Sequence, residues 1–139
     1  MTARRLGDDD IQRFLATREV VLLATIQADG APLAMPVWFV HDREALTMIS
    51  EAATQKVRNL RRDPRVCVVA DAGSRDDARA VIMGGRAEFV PDSPAQRALV
   101  RALLGKYHPH LGRKWGGDAM PADRMMFRVV PAWVRTWGM

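Results

Sequence analysis

Residues 50–64 read Ser-Glu-Ala-Ala-Thr-Gln-Lys-Val-Arg-Asn-Leu-Arg-Arg-Asp-Pro. The stretch describes the end of a strand, a loop of small residues, and a helix that begins near Gln55. Pro64 sets the stop, because proline disfavours the helical conformation of the residue before it. The start of this helix is chemically odd. Lys56 and Arg58 fall in its first turn, where unpaired backbone N–H groups already carry partial positive charge. Two cations there are unfavourable unless an anion joins them. A helix N-terminus, an ammonium and the hydroxyls of Ser50 and Thr54 together would make a phosphate site. The local chemistry also admits a plainer reading, in which both side chains extend into water.

Working outward, residues 45–50 read as a strand that delivers the chain to this loop, and residues 66–71 as the strand that leaves it. Residues 20–27 are apolar on both faces and β-branched, which describes a buried strand. Ala28-Asp29-Gly30 is a hairpin signal, since Asp-Gly accepts the positive φ of a tight turn. Residues 33–41 form the return strand. Pro36 inside it cannot donate to a ladder, so it marks an edge, a bulge or a place where pairing stops. Residues 79–90 predict a long strand with a bend or bulge at Gly84-Gly85. Residues 125–130 predict another, and 131–137 a further extended piece. Asp8-Asp9-Asp10 ahead of Ile11, Phe14 and Leu15 predicts a short amphipathic helix ending near Thr17. Ser93 as N-cap and Pro94 at the first position start another, with Leu99, Val100, Leu103 and Leu104 on one face up to about Tyr107. Residues 108–123 are the least regular part.

Hairpin-linked strands argue for an antiparallel sheet or barrel. Several strands are apolar on both faces, so the outer face needs cover from helices or from a second copy, which favours a homodimer. The length of 139 residues suits one domain, residues 1–139. The single cysteine, Cys67, excludes an internal disulfide and offers no metal-site spacing, and its apolar setting predicts an inert thiol. His108-Pro109-His110 lacks a third ligand, so no metal is expected. Met48, Met83, Met125 and Met126 read as core filler. Trp115-Gly116-Gly117-Asp118 reads as a lid over a cleft or as an ordered loop. No apolar run reaches membrane-span length and no secretory signal opens the chain, so a cytoplasmic protein without a membrane partner is expected. The net charge of +5 is carried mostly by arginine dispersed among acids. Arg58, Arg61, Arg62 and Arg65 read as a solvated helix face rather than a nucleic-acid surface.

The strand with its Asp-Gly hairpin, the "PVWF" strand, "TQKVRNLRRDPRV" and the closing "FRVVPAWVRTW" resemble the pyridoxamine 5'-phosphate oxidase-like split β-barrel superfamily. More narrowly, they resemble its actinobacterial branch that uses the deazaflavin coenzyme F420. The likeness runs over nearly the whole chain, and the lysine-to-proline run is its most specific part. It implies a mainly β, six-stranded antiparallel split barrel with flanking helices, dimeric, with cofactor clefts between subunits. By position, Lys56 would bind the cofactor phosphate, assisted by Ser50, Thr54, Arg58 and Asn59. Pro36, Val37, Trp38 and Met48 would lie along the ring system. Met83, Arg128 and Trp133 would come from the second subunit. The chain departs from many relatives at Gln55, where they have a basic residue, and residues 72–77 offer no aromatic ring. The end Thr136-Trp137-Gly138-Met139 lacks the substrate motifs of the vitamin-synthesising oxidases, so oxidation of pyridoxamine phosphate itself is not expected.

No catalytic triad, metal cluster or paired carboxylates stand out, and no catalytic residue is assigned. That suits an enzyme whose cofactor carries the chemistry. The expected function is an oxidoreductase passing hydride from reduced F420 to an electron-poor small molecule such as an enone, quinone or tetrapyrrole. FMN in the same barrel is the near alternative. A non-catalytic carrier of deazaflavin, flavin or haem is the other, because one fold hosts many functions.

Overall fold

The computed structural model describes residues 2–139. The chain runs β1 (Thr2–Arg4), α1 (Asp9–Ala16), β2 (Val20–Ile26), β3 (Pro32–Trp38), β4 (Val40–His41), β5 (Leu46–Glu51) and α2 (Gln55–Arg62). It continues through β6 (Arg65–Asp71), β7 (Ala80–Phe89), α3 (Pro94–Tyr107), α4 (His110–Trp115) and β8 (Arg124–Trp137). All strand pairs are antiparallel, in the order β3-β2-β6-β7-β8-β5-β4, with β1 on the far end of β8. The two strands at the ends of that order, β3 and β4, follow each other in the chain with only Phe39 between them. The sheet must therefore curl until its edges approach, which makes a barrel with a seam. The strands expected from sequence appear as β2, β3, β5, β6, β7 and β8; β4 is the end of the expected 33–41 strand, cut off at Phe39, and β1 is a short addition.

Pro36 does not end the pairing. The β2–β3 ladder runs unbroken from Val20↔Trp38 to Ile26↔Pro32, and Pro36 stands opposite Leu22. It is tolerated because β3 is an edge strand, whose outer N–H groups need no partner. The last two extended pieces are one strand, β8. The register slips between Gly84 and Gly85, which pair with Trp133 and Pro131, so Ala132 is the extra residue and the bulge lies on β8. A Cβ at Gly85 would run into the backbone of Val130, which explains the glycine there.

The barrel interior is filled by Leu23, Phe39, Leu46, Met48, Val68, Met83, Phe127 and their neighbours, all shielded from solvent. Helix α1 closes one end, with Ile11, Phe14 and Leu15 buried and Arg18 donating to the carbonyls of Asp71 and Ala72 at the end of β6. Helix α2 closes the other, with Val57 and Leu60 buried and Arg62 bonded to the Ile26 carbonyl. A second cluster, Val100, Leu103, Tyr107, Leu111 and Met126, fixes α3 and α4 on the outside of the barrel, against Val40 and Ile49. Ser93 caps α3 as expected, accepting from the Gln96 N–H. The short helix α4 was not anticipated; the glycines and prolines around it mask the Leu111/Trp115 pair one turn apart. The outward face of β2, β6, β7 and β8 is left uncovered, with Val20, Leu22, Trp133 and Trp137 exposed.

Candidate functional site

The seam between β3 and β5 opens into a cleft of about 400 Å³. Pro36, Val37 and Trp38 form its β3 wall, and Ile49, Ser50 and Glu51 its β5 wall. Thr54 and Lys56 close it at the start of α2, while Leu103, Leu111, Lys114 and Trp115 cover it from α3 and α4. Arg124 completes the lining.

The opening stretch of sequence folds so that its polar groups converge. The Ser50 and Thr54 hydroxyls share a hydrogen bond at 3.0 Å, and the Thr54 hydroxyl donates to the Glu51 carbonyl at 2.8 Å. Thr54 occupies the N-cap position of α2 but its side chain makes no capping bond. Among the described residues the first-turn N–H groups therefore have no side-chain acceptor, which leaves the helix start suited to an anion. Lys56 is half-buried, and among the described residues its ammonium has no hydrogen-bond acceptor and no carboxylate within 4.0 Å. Burial holds that ammonium below the ordinary lysine range, with Glu51 opposing and the Lys114 charge adding to the depression. Arg124 is occupied, lying 3.5 Å from Glu51 and 2.8 Å from Asp123.

Not every expected residue reaches the cleft. Arg58 is turned back, donating to the Ala53 carbonyl at 2.6 Å and to Gln55 at 2.9 Å. Asn59 is fully buried on the barrel side of α2, donating to Thr25 Oγ1 at 3.0 Å and accepting from Gln55 at 2.8 Å. Gln55 thus links Arg58 to Asn59 and braces the loop. Met48 points into the barrel, and its neighbour Ile49 faces the cleft instead. Met83 is also interior. Arg128 faces Asp42 at 3.7 Å and Trp133 lies over Gly84; both are expected to reach a second copy's cleft, and neither lines that of its own chain. The His108–His110 segment engages Arg113 through His110, and the described residues contain no metal-binding group of three or more His, Cys, Asp or Glu.

Sequence reasoning missed Lys114, Leu103, Leu111, Ile49, Glu51 and Arg124. Trp115, read as a lid or an ordered loop, does lie over the cleft. The wall that Trp38 makes is braced from behind. Its ring stacks on Tyr107, whose buried hydroxyl accepts from the Phe39 N–H at 2.8 Å and donates to the Glu19 carbonyl at 2.7 Å.

Fold and cleft together define a split β-barrel protein with a basic, aromatic-walled site at its seam. The chain belongs to the pyridoxamine 5'-phosphate oxidase family, whose model matches residues 8–138. Among solved structures it resembles a conserved hypothetical protein from Mycobacterium tuberculosis, 28% identical, with a TM-score of 0.79 over 94% of this chain and 84% of that one. An F420 reductase is 26% identical, with a TM-score of 0.64 over 92% of this chain and 96% of that one. The haem storage protein from Vibrio cholerae shares the fold at 22% identity and a TM-score of 0.75, over 97% and 95% of the two chains.

Proposed function

We propose that the protein is an oxidoreductase that binds coenzyme F420 in the seam cleft and reduces an electron-poor small molecule. The observation that carries this reading is the Lys56 ammonium, half-buried, without a partner among the described residues, and beside an uncapped helix start and two hydroxyls. A phosphate supplies the charge and the acceptors that this arrangement lacks. The flat face of Trp38, with Pro36 and Val37, suits a planar ring, and the cleft volume lies within the range of cofactor sites. When bound, the deazaflavin supplies the hydride chemistry. The chain's own residues do the rest: Lys56, Ser50 and Thr54 hold the phosphate, Trp38 orients the ring, and Trp115 limits water.

The likeness to an F420 reductase supports the deazaflavin over FMN. The lining of the cleft supports it over haem, since no His, Cys, Met or Tyr side chain stands there to ligate iron among the described residues. The exposed apolar face around Val20, Leu22, Trp133 and Trp137 supports a homodimer, in which the second copy would complete the cleft.

Parallel fluorescence titrations with coenzyme F420 and with FMN, on wild type and Lys56→Ala, test the reading. The expected result is tight F420 binding, weaker FMN binding, and loss of about tenfold or more in the variant, as for a charge-assisted contact. Substrate-dependent reoxidation of the bound reduced cofactor then separates an enzyme from a carrier. FMN preference would move the function to flavin chemistry. Binding that survives Lys56→Ala would remove the anchor.

A further inference from the structure

Lys114 lines the same cleft as Lys56 but stands on a different element, the last turn of α4. Among the described residues neither ammonium has a hydrogen bond or a carboxylate within 4.0 Å, although Arg113, its neighbour on α4, is engaged by His110. The two lysines are near enough that Lys114 lowers the proton affinity of Lys56. A lysine at a helix C-terminus is favourable by itself, because the last carbonyls carry partial negative charge. That accounts for a cation on the last turn of α4. It does not account for two cations without partners bordering one cleft: Lys114 is exposed there, and Glu51, the carboxylate in the lining, is shared with Arg124. Beside Lys114, Trp115 and Leu111 give the α4 wall an apolar floor.

We propose that Lys114 is a second anion anchor, so that the cleft selects a ring ligand carrying two separated anionic groups over one carrying a single phosphate. This rests on the proposed function and narrows it. Coenzyme F420, with a phosphodiester and a carboxylate-bearing tail, belongs to the first class. FMN, with one terminal phosphate, belongs to the second. In this arrangement Lys56 holds the phosphate shared by both, and Lys114 meets the group that only the first possesses.

The test uses the full chain as wild type, Lys56→Ala, Lys114→Ala and Arg113→Ala, each titrated with coenzyme F420 and FMN. Lys114→Ala is expected to weaken F420 about tenfold, in line with one charge-assisted contact, and to leave FMN within about twofold. Arg113→Ala removes the same formal charge one residue away and is expected to change neither. Equal weakening of both ligands by Lys114→Ala, or of neither, overturns the proposal. So does an Arg113→Ala loss as large as that of Lys114→Ala, which would show a general field rather than a contact. If wild type binds neither ring ligand, the proposed function falls, and calorimetry with inorganic tripolyphosphate reads the anchor directly. Weakening in both lysine variants then sustains the paired site, and unchanged binding in Lys114→Ala overturns it.

Discussion

The Trp38 indole and the Tyr107 phenol lie face to face, with ring centroids 4.5 Å apart and planes within 5° of parallel. Trp38 is on the edge strand β3 and Tyr107 ends α3, so one stack joins the cleft wall to the outer helix. The Tyr107 hydroxyl adds a second tie, to the backbone of Phe39 and Glu19. Tyr107→Phe keeps the stack and loses the hydroxyl, leaving the buried Phe39 N–H unpaired. Urea unfolding should show a loss of about 1–3 kcal/mol with cofactor affinity little changed. Tyr107→Leu also loses the stack, worth about 0.5–1.5 kcal/mol more. Only that variant should bind the cofactor more weakly, because Trp38 is then free to turn. Equal affinity in the two variants would show that the stack does not position the ring.

Lys106 gives the protein a pH dependence of definite sign. Its ammonium donates to the Phe39 carbonyl at 2.9 Å and lies 3.6 Å from the Phe39 ring centroid. Burial pushes it down to about 8, with Glu19 opposing, from an ordinary value of 10.5. Between those values the unfolded chain holds a proton that the folded chain has released, so stability rises with pH across the window. Burial pushes Tyr107 up to about 12, from 10.0, with its Phe39 bond opposing and Glu19 adding to the rise. There the folded chain keeps a proton the unfolded chain loses, and stability falls with pH over that higher window. Denaturant unfolding of wild type and Lys106→Met from pH 7 to 10.5 isolates the lysine. Wild type should gain on the variant above about pH 8, and a flat difference would show that the ammonium is not desolvated.

Asn59 illustrates a residue whose position in a binding motif serves the fold. Its bond to Thr25 joins α2 to β2 inside the barrel end. Asn59→Ala should cost about 1–3 kcal/mol, since it strands the buried Thr25 hydroxyl. Thr25→Val combined with Asn59→Leu should cost less than the two single changes together, because both polar partners are then gone. A phosphate role would instead appear as lost cofactor affinity without lost stability.

The outer face of the sheet predicts the assembly. Leu22, Val69 and Ile82 stand side by side across β2, β6 and β7, and Leu22 is 45% exposed. Leu22→Asp should fold, since it replaces an exposed side chain, and should run as a monomer in light scattering, where the proposed dimer predicts that wild type runs at twice the mass. Cofactor binding should weaken with it if the second copy completes the cleft. A monomeric wild type would overturn the dimer.

Much of the local structure was legible. Helix α2 begins at Gln55 and ends before Pro64 as its residues require, and Ser93 caps α3. These are decisions taken within a few residues, by caps, proline geometry and turn chemistry. The core side of β5 was not legible, because Leu46 and Met48 on one face and Ile49 on the other are all apolar and the polar Thr47 is itself buried. Met48 carried two expectations, a place along the ring system from the resemblance and core filler from its own chemistry; it fills the core, and Ile49 lines the cleft. Asn59 followed the same logic on α2, where the rotation of the helix against β2 decides which side chains turn inward.

By itself, then, the sequence determined most of the strands and helix ends, and it brought Ser50, Thr54 and Lys56 to one loop because they fall within one short run of chain. Only the tertiary structure decided that β3 and β5 meet at a seam and that α4 brings Lys114 and Trp115 over it. The α4 contact joins residues some 60 positions apart in the chain. Both contacts depend on the closure of the whole sheet, and the chemistry of short segments carries no record of that closure.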